Sequence, residues 1–516
     1  TTGNSIANAA LGNFDTYFEI GSAADTHVRS NAYEFFAQDT WKLRPNLTLE
    51  LGIRYSYFAP WTAKWNDISN FDPRFFTTAA RATLDPRTGA IIGGDPYNGI
   101  VQGGTSYPDA AKGRALGASV PNVQRLFRGA PEGFVDKYYA NFAPRFGLAW
   151  RLDSKSVLRA GGGSYKARDF LNNGSLFRNA PNQDRVDVVN GVVDTPGGRG
   201  GSQFPFSLGA LALEYNYPTA YHYSVSLQRE LPFGIVVDAA YVGKTAVDLY
   251  RVRNLNQLLP GTVQANPGIN VNALRPFYGL AIINYSEQSG RSRYNSFQLS
   301  ADRRFRNGLG FGVAYTVSKN EDNVATPYNA YNFVTALSGN DRPHVLSLNY
   351  IYQLPFLRNS RSLLGNAFGN WQISGVAFFR SGAPLSVLDA TDTAGVGSGS
   401  ASQPWNVSGS TAATGATGVG QPWFNAAAFS VPRAGTFGNA PLNLLRGPGF
   451  QNWDVALFKN FRFTERLSGQ LRAESFNFLN HPLLSNPNTN PRSGDFSRVT
   501  SKYNERNLQL GLKIIF

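Results

Sequence analysis

Asn507-Leu508-Gln509-Leu510-Gly511-Leu512-Lys513-Ile514-Ile515-Phe516 sets Leu508, Leu510, Leu512, Ile514 and Phe516 on every second position, with Asn507, Gln509, Gly511 and Lys513 between them. Side chains alternate across a β-strand, so the stretch predicts a strand with one apolar and one wet face. The segment before it repeats the pattern: Leu467, Leu471 and Ala473 alternate with Ser468, Gln470, Arg472 and Glu474. Here the polar face carries a full cation and a full anion. An antiparallel sheet built this way either has water on one side only or separates water from something apolar.

Composition narrows the choice. Charged residues are 16% of the 516, against roughly 25% in soluble domains, while aromatics reach 13% and Gly numbers 53. Strands and turns are favoured, and no run approaches the roughly 18 apolar residues of a membrane-spanning helix. Any membrane crossing must then be made by strands of a closed sheet. Without Cys there is no disulfide, thiolate metal site or Cys nucleophile. Without Met or a signal peptide before Thr1, the chain reads as a processed product or a fragment. The net charge of +14 is dispersed and has no basic run with interleaved aromatics, a pattern that speaks against nucleic acid. It suits a polar wall with surplus Arg, or a rim that attracts anions.

Working back along the chain, the same alternation defines six hairpins and one last strand, thirteen in all. Leu47, Leu49, Leu51, Ile53, Tyr55 and Tyr57 follow the turn at Pro45-Asn46, and Phe297, Leu299 and Ala301 face Leu309, Phe311, Val313 and Tyr315 across Arg306-Asn307-Gly308. Within hairpins the connections are short. Between them they are long, as in the stretches 59–137, 167–218 with its run Gly197-Gly198-Arg199-Gly200-Gly201, 251–292 and 381–452. Short turns at one end and long loops at the other are the asymmetry of outer-membrane barrels, which also place Tyr and Trp near strand ends. The expectation is an all-β antiparallel transmembrane barrel. A fourteenth strand around Phe14–Ile20 would make the count even. A soluble β-protein would instead have to bury its apolar faces against another layer.

Several segments resemble TonB-dependent outer-membrane receptors, in particular the Oar-like branch with an N-terminal carboxypeptidase-regulatory-like domain. They are Phe35-Phe36-Ala37-Gln38-Asp39-Thr40-Trp41-Lys42, Pro45-Asn46-Leu47-Thr48-Leu49-Glu50-Leu51-Gly52-Ile53-Arg54-Tyr55, Ala143-Pro144-Arg145-Phe146-Gly147, Tyr294-Asn295-Ser296-Phe297-Gln298, Tyr315-Thr316-Val317-Ser318-Lys319 and Glu474-Ser475-Phe476-Asn477-Phe478-Leu479-Asn480-His481-Pro482. The resemblance implies a 22-stranded barrel of which about thirteen strands are present. Residues 1–31 would end an extracellular loop and 32–516 would form the C-terminal barrel portion, with the plug and N-terminal domain preceding Thr1. It also implies import of an extracellular solute driven by the TonB complex. The outer-membrane lipid and the barrel-assembly machinery are the other expected partners, the latter reading Leu508, Leu510, Leu512, Ile514 and Phe516 as an assembly signal. The alternative is a cell-surface adhesin or structural barrel that binds through its loops.

Enzymatic chemistry finds no support in the motifs. Gly243-Lys244-Thr245 lacks the upstream Gly of a phosphate loop, where Asp238 stands, and lies on a strand. His27, His222, His344 and His481 are far apart, and no Gly-x-Ser-x-Gly elbow occurs. Asp389 with Asp392, or Glu321 with Asp322, could hold Ca²⁺ but show no organised ligand series, so solvated loop carboxylates are expected, with no metal or cofactor. Glu230, Asp238, Asp302, Arg304, Arg472 and Glu474 are expected as charges of the lumen wall.

Overall fold

In the computed structural model, residues 5–20, 26–168, 176–183, 185–195, 203–357, 363–397, 401–464 and 466–516 are described. Gly197–Gly201 and Glu465 lie outside them. One antiparallel sheet dominates, and its main path follows chain order through β1 (Ala32–Arg44), β2 (Leu47–Phe58), β3 (Phe142–Arg151), β4 (Ser156–Lys166), β5 (Thr219–Leu231), β6 (Ile235–Asn254), β7 (Ile283–Arg306), β8 (Leu309–Asp322), β9 (His344–Gln353), β10 (Trp371–Arg380), β11 (Phe450–Arg462), β12 (Ser468–Phe476) and β13 (Asn507–Ile515). Two short strands, Leu208–Leu211 and Ala336–Leu337, attach to β7 and β8 off this path.

Local chemistry sets the tight turns. Asn307 and Gly308 both have positive φ, 54° and 85°, the two left-handed positions of a two-residue hairpin turn. Asp153 Oδ1 accepts from the Lys155 N–H at 2.7 Å, and Thr464 Oγ1 accepts from the Leu467 N–H at 2.9 Å. A short helix, Leu363–Phe368, lies between β9 and β10. Among the described residues no helix is long and apolar enough to cross a membrane.

Register carries the alternation across the whole sheet. Glu230, Val236, Asp302, Gly312, Asn349, Val376 and Asp454 pair successively from β5 to β11 and form one row. The next row runs Val237, Ala301, Val313, Leu348, Ala377 and Trp453 on the opposite face. That apolar face is not covered by a second layer: Leu508, Leu510, Leu512 and Ile514 are 74%, 79%, 70% and 58% exposed. A soluble sandwich would bury such a face, whereas a barrel turns it to lipid.

Phe14–Ile20 is indeed extended, within the strand Asn13–Ile20, but it pairs with Arg185–Val192 in a separate two-stranded ribbon and adds nothing to the main sheet. Sequence alternation looks the same in a loop ribbon as in a wall strand, so only pairing distinguishes them.

Candidate functional site

Five of the six charges expected on the lumen wall share the polar face. Glu230 and Asp302 flank Val236 in one row; Asp238 pairs with Gln228 and Ser300 in the next polar row; Glu474 pairs with Ala456 and Gln509. Arg472 lies opposite Phe458, its guanidinium carbon 5.6 Å from the ring centre, and donates from Nε to Gln470 Oε1 at 2.6 Å. Arg304 falls beside the hairpin turn, where the β7–β8 register shifts. The structure spreads these residues along the wall and does not gather them into a centre. Among the described residues, none of the six forms an ion pair with another. A charge coupling on this face lies elsewhere: Arg54 Nη2 is 2.6 Å from Glu34 Oε2.

The gathered chemistry is in the long connections. Gly, Pro and Asn-rich stretches cannot form strands of the wall, but their scattered apolar residues find one another. Phe71, Ile100 and Leu126 of the first connection pack with Leu208 and Ala210 of the second, Leu280 of the third and Ile283 at the start of β7. Val387, Phe424, Phe429 and Leu445 of the fifth pack together, with Phe496 of the sixth against them. Burying these side chains, at roughly 1.5–3 kcal/mol each, fixes the connections as a folded cap. Polar ties add direction. Asn70 donates from Nδ2 to Leu211 O at 2.9 Å and accepts from the Leu211 N–H at 2.8 Å, which joins the first two connections.

Inside the cap is a cavity of about 440 Å³ bordered by Asp72, Arg74, Glu214, Tyr285, Glu287 and Ser289 over apolar residues that include Phe71 and Phe134. Asp72 and Arg74 are held together: the Asp72 carboxylate accepts from the Arg74 backbone N–H at 3.0 Å and from Arg74 Nη2 at 2.6 Å. Burial would raise the Asp72 pKa, but these bonds outweigh it and keep the carboxyl below its ordinary range. Glu287 sits between two cations, with Arg251 Nη2 at 3.2 Å and Arg253 Nε at 3.4 Å. Arg251 is itself stacked on Phe333, 3.4 Å from the ring centre. The cavity thus presents both signs of charge, a phenol and a hydroxyl at fixed positions, the equipment to hold a polar solute with several functional groups.

Sequence reading missed these residues. Asp72-Pro73-Arg74 carries a turn signal, but nothing local links it to Glu287, which arrives from more than two hundred positions later. The loop carboxylates weighed as Ca²⁺ ligands are occupied otherwise. Asp389 accepts from the Thr391 N–H at 2.9 Å, Trp405 Nε1 at 3.1 Å and Arg492 Nε at 2.6 Å. Asp392 accepts from the Val396 and Gly397 N–H groups and from Gln403 Nε2. Glu321 lies 2.7 Å from Lys319 Nζ. Among the described residues no group of three or more His, Cys, Asp or Glu side chains converges on a metal position.

Residues 1–509 match the family described as the outer membrane beta barrel domain. No curated protein matches the chain. Solved structures similar to it include the ferripyoverdine receptor of the Pseudomonas aeruginosa outer membrane, with 10% identity, 95% of this chain and 39% of that one covered, and a TM-score of 0.40. Two others are the ferric-catecholate import receptor Fiu of E. coli K12 (10%, 95% and 45%, TM-score 0.42) and the ferric yersiniabactin uptake receptor FyuA of Yersinia pestis (10%, 95% and 46%, TM-score 0.41). The chain spans less than half the length of each of these three proteins.

Proposed function

Because the chain belongs to the outer membrane β-barrel family, and so to the outer membrane, we propose that it forms the spanning and solute-capturing part of a TonB-dependent receptor, a transporter and not an enzyme. The observation that carries the proposal is the division of labour between the two ends of the sheet. Hairpin turns at one end are short except for the helix-bearing connection between β9 and β10, while the connections at the other end fold onto one another and border a charged cavity. On this reading the cap faces outward and selects the solute, and the polar wall with Glu230, Asp238, Asp302, Arg304, Arg472 and Glu474 conducts it inward.

The segments that resemble TonB-dependent receptors support the transport half of the reading. Energy would then come from the TonB complex acting on a plug in the intact protein. A polar solute with several functional groups suits the cavity, whether ferric chelate, oligosaccharide or peptide.

The test is a binding and uptake assay with labelled members of those three classes, in cells that produce the intact protein with and without TonB. The expected result is saturable binding to one class, weakened at least tenfold by Glu287→Gln, with accumulation only when TonB is present. Binding without TonB-dependent accumulation would replace transport with the adhesin reading.

A further inference from the structure

Asn307 and Gly308 suffice to join β7 to β8, whereas β9 and β10, at the same end of the sheet, are joined by the stretch 354–370 with its helix Leu363–Phe368. The Leu354 N–H donates to Trp371 O at 2.9 Å, so the stretch leaves and re-enters the sheet at one point. Lys459 of β11 shows which way it folds. Register puts Lys459 in the apolar row, paired on one side with Trp371 and on the other with Leu471, which itself pairs with Leu512. Paired residues share a face. Leu471 and Leu512 are 43% and 70% exposed on that face, yet Lys459 is only 2% exposed.

The connection covers it. Lys459 Nζ donates to Gly369 O and lies 5.4 Å and 5.3 Å from the ring centres of Trp371 and Phe461. The Asn460 N–H donates to Asn370 O at 3.2 Å, and the helix packs on β11. The stretch therefore folds back over the outer, apolar surface of the wall. Gly365 and Gly369 are buried, while Leu364 and Phe368, one helical turn apart and so on one face, are 66% and 65% exposed. A Cβ on Gly369 would fall 2.3 Å from Leu357 O, so glycine lets the end of the connection close against its start. Phe356 is exposed there too, and Phe463, stacked on Phe461 with ring centres 6.2 Å apart, extends the apolar patch.

We propose that the stretch 354–370 is an interfacial anchor, which inserts Phe356, Leu364 and Phe368 among the acyl chains of the adjoining phospholipid leaflet, with Lys459 as the clamp that holds it to the wall. The occupant follows from continuity: the patch prolongs the surface of Leu471 and Leu512, which already faces lipid, and does not open a separate surface beside it. A short helix with its small residues against the protein and its large apolar residues outward suits the boundary between headgroups and chains. Phe461, Phe463 and Trp371 lie at the strand ends, the level of an aromatic girdle. On the orientation proposed above this is the periplasmic leaflet, but insertion itself does not depend on that orientation.

The test uses the intact protein reconstituted in vesicles of phosphatidylethanolamine and phosphatidylglycerol. Leu364→Cys, Phe368→Cys, Leu512→Cys and Ser154→Cys are made separately and spin-labelled, and the parent protein taken through the same labelling supplies the blank. Collision with oxygen reports lipid, and collision with a nickel chelate reports water. The expected result is that labels at 364 and 368, like that at 512, meet the chelate roughly fivefold or more less often than the label at 154. Lys459→Met should raise the access of the chelate to 364 and 368 and leave 512 unchanged. Labels at 364 and 368 as open as that at 154, beside a shielded 512, would overturn the anchor and leave the patch to a protein partner. An open 512 would overturn the lipid-facing wall, and the anchor with it. Labels unmoved by Lys459→Met would overturn the clamp.

Discussion

Arg492 reaches from the sixth long connection to Asp389 in the fifth, placing Nε 2.6 Å from Oδ2, where the Asp389 side chain is 4% exposed and that of Arg492 47%. The pair fastens the last two connections beside the cluster of Phe424, Phe429 and Phe496. Because Asp389 also accepts from Thr391 and Trp405, it organises the fifth connection.

Asp389→Ala should therefore loosen the cap without unmaking the wall. Three hydrogen bonds to a buried charge are lost, and the cost is about 1–3 kcal/mol after local relaxation. Limited proteolysis should cut within 401–449 roughly tenfold to a hundredfold faster, while the heat-modifiable mobility of the barrel on gels stays unchanged. Arg492→Met should show a smaller effect of the same kind, since its guanidinium is half in water.

Acid should loosen the same region. Asp72 and Asp389 both have carboxyl pKa values depressed in the folded state, because their hydrogen bonds outweigh the burial that opposes ionisation. A depressed carboxyl contributes stability above its unfolded pKa, about 3.9, and loses that contribution as pH falls through the lower folded value. Cap protection measured by hydrogen exchange or pulse proteolysis should be flat from pH 7 down to about 4 and fall below it. In Asp389→Asn the fall should be shallower.

The two faces of the wall should answer oppositely to charge. Leu299 lies on the apolar face and Ser300 beside it on the polar face, in the middle of β7. Leu299→Arg should cost about 2–4 kcal/mol if that position is near the bilayer midplane, and Ser300→Arg close to nothing. Urea unfolding of the protein in lipid vesicles measures the difference, and equal costs would mean that both faces meet the same solvent.

The wall was largely legible in the sequence because lipid enforces strict alternation. Leu508 to Phe516, Leu47 to Tyr57 and the Asn307-Gly308 turn each carry their own signal within ten or so residues. The cap was not legible, because its contacts join residues far apart in sequence: Asn70 with Leu211, Asp389 with Arg492, Glu287 with Arg251. Phe14–Ile20 shows the limit in one element, since its extended character is local while its partner, Arg185–Val192, lies in another connection. Parity alone assigns a strand residue to a face, but it says nothing of depth or neighbours, so Arg472 against Phe458 was beyond it.

Orientation across the membrane is the central claim, and the chain's lack of Cys makes it directly measurable. Single cysteines would be introduced at Ala412 and Gly494 in the long connections and at Ser154 and Phe233 in the tight turns, then challenged in intact cells with a membrane-impermeant maleimide. Labelling of positions 412 and 494 in intact cells, with 154 and 233 reacting only after the outer membrane is permeabilised, is the predicted result. Labelling of 154 and 233 in intact cells would contradict an outward-facing cap.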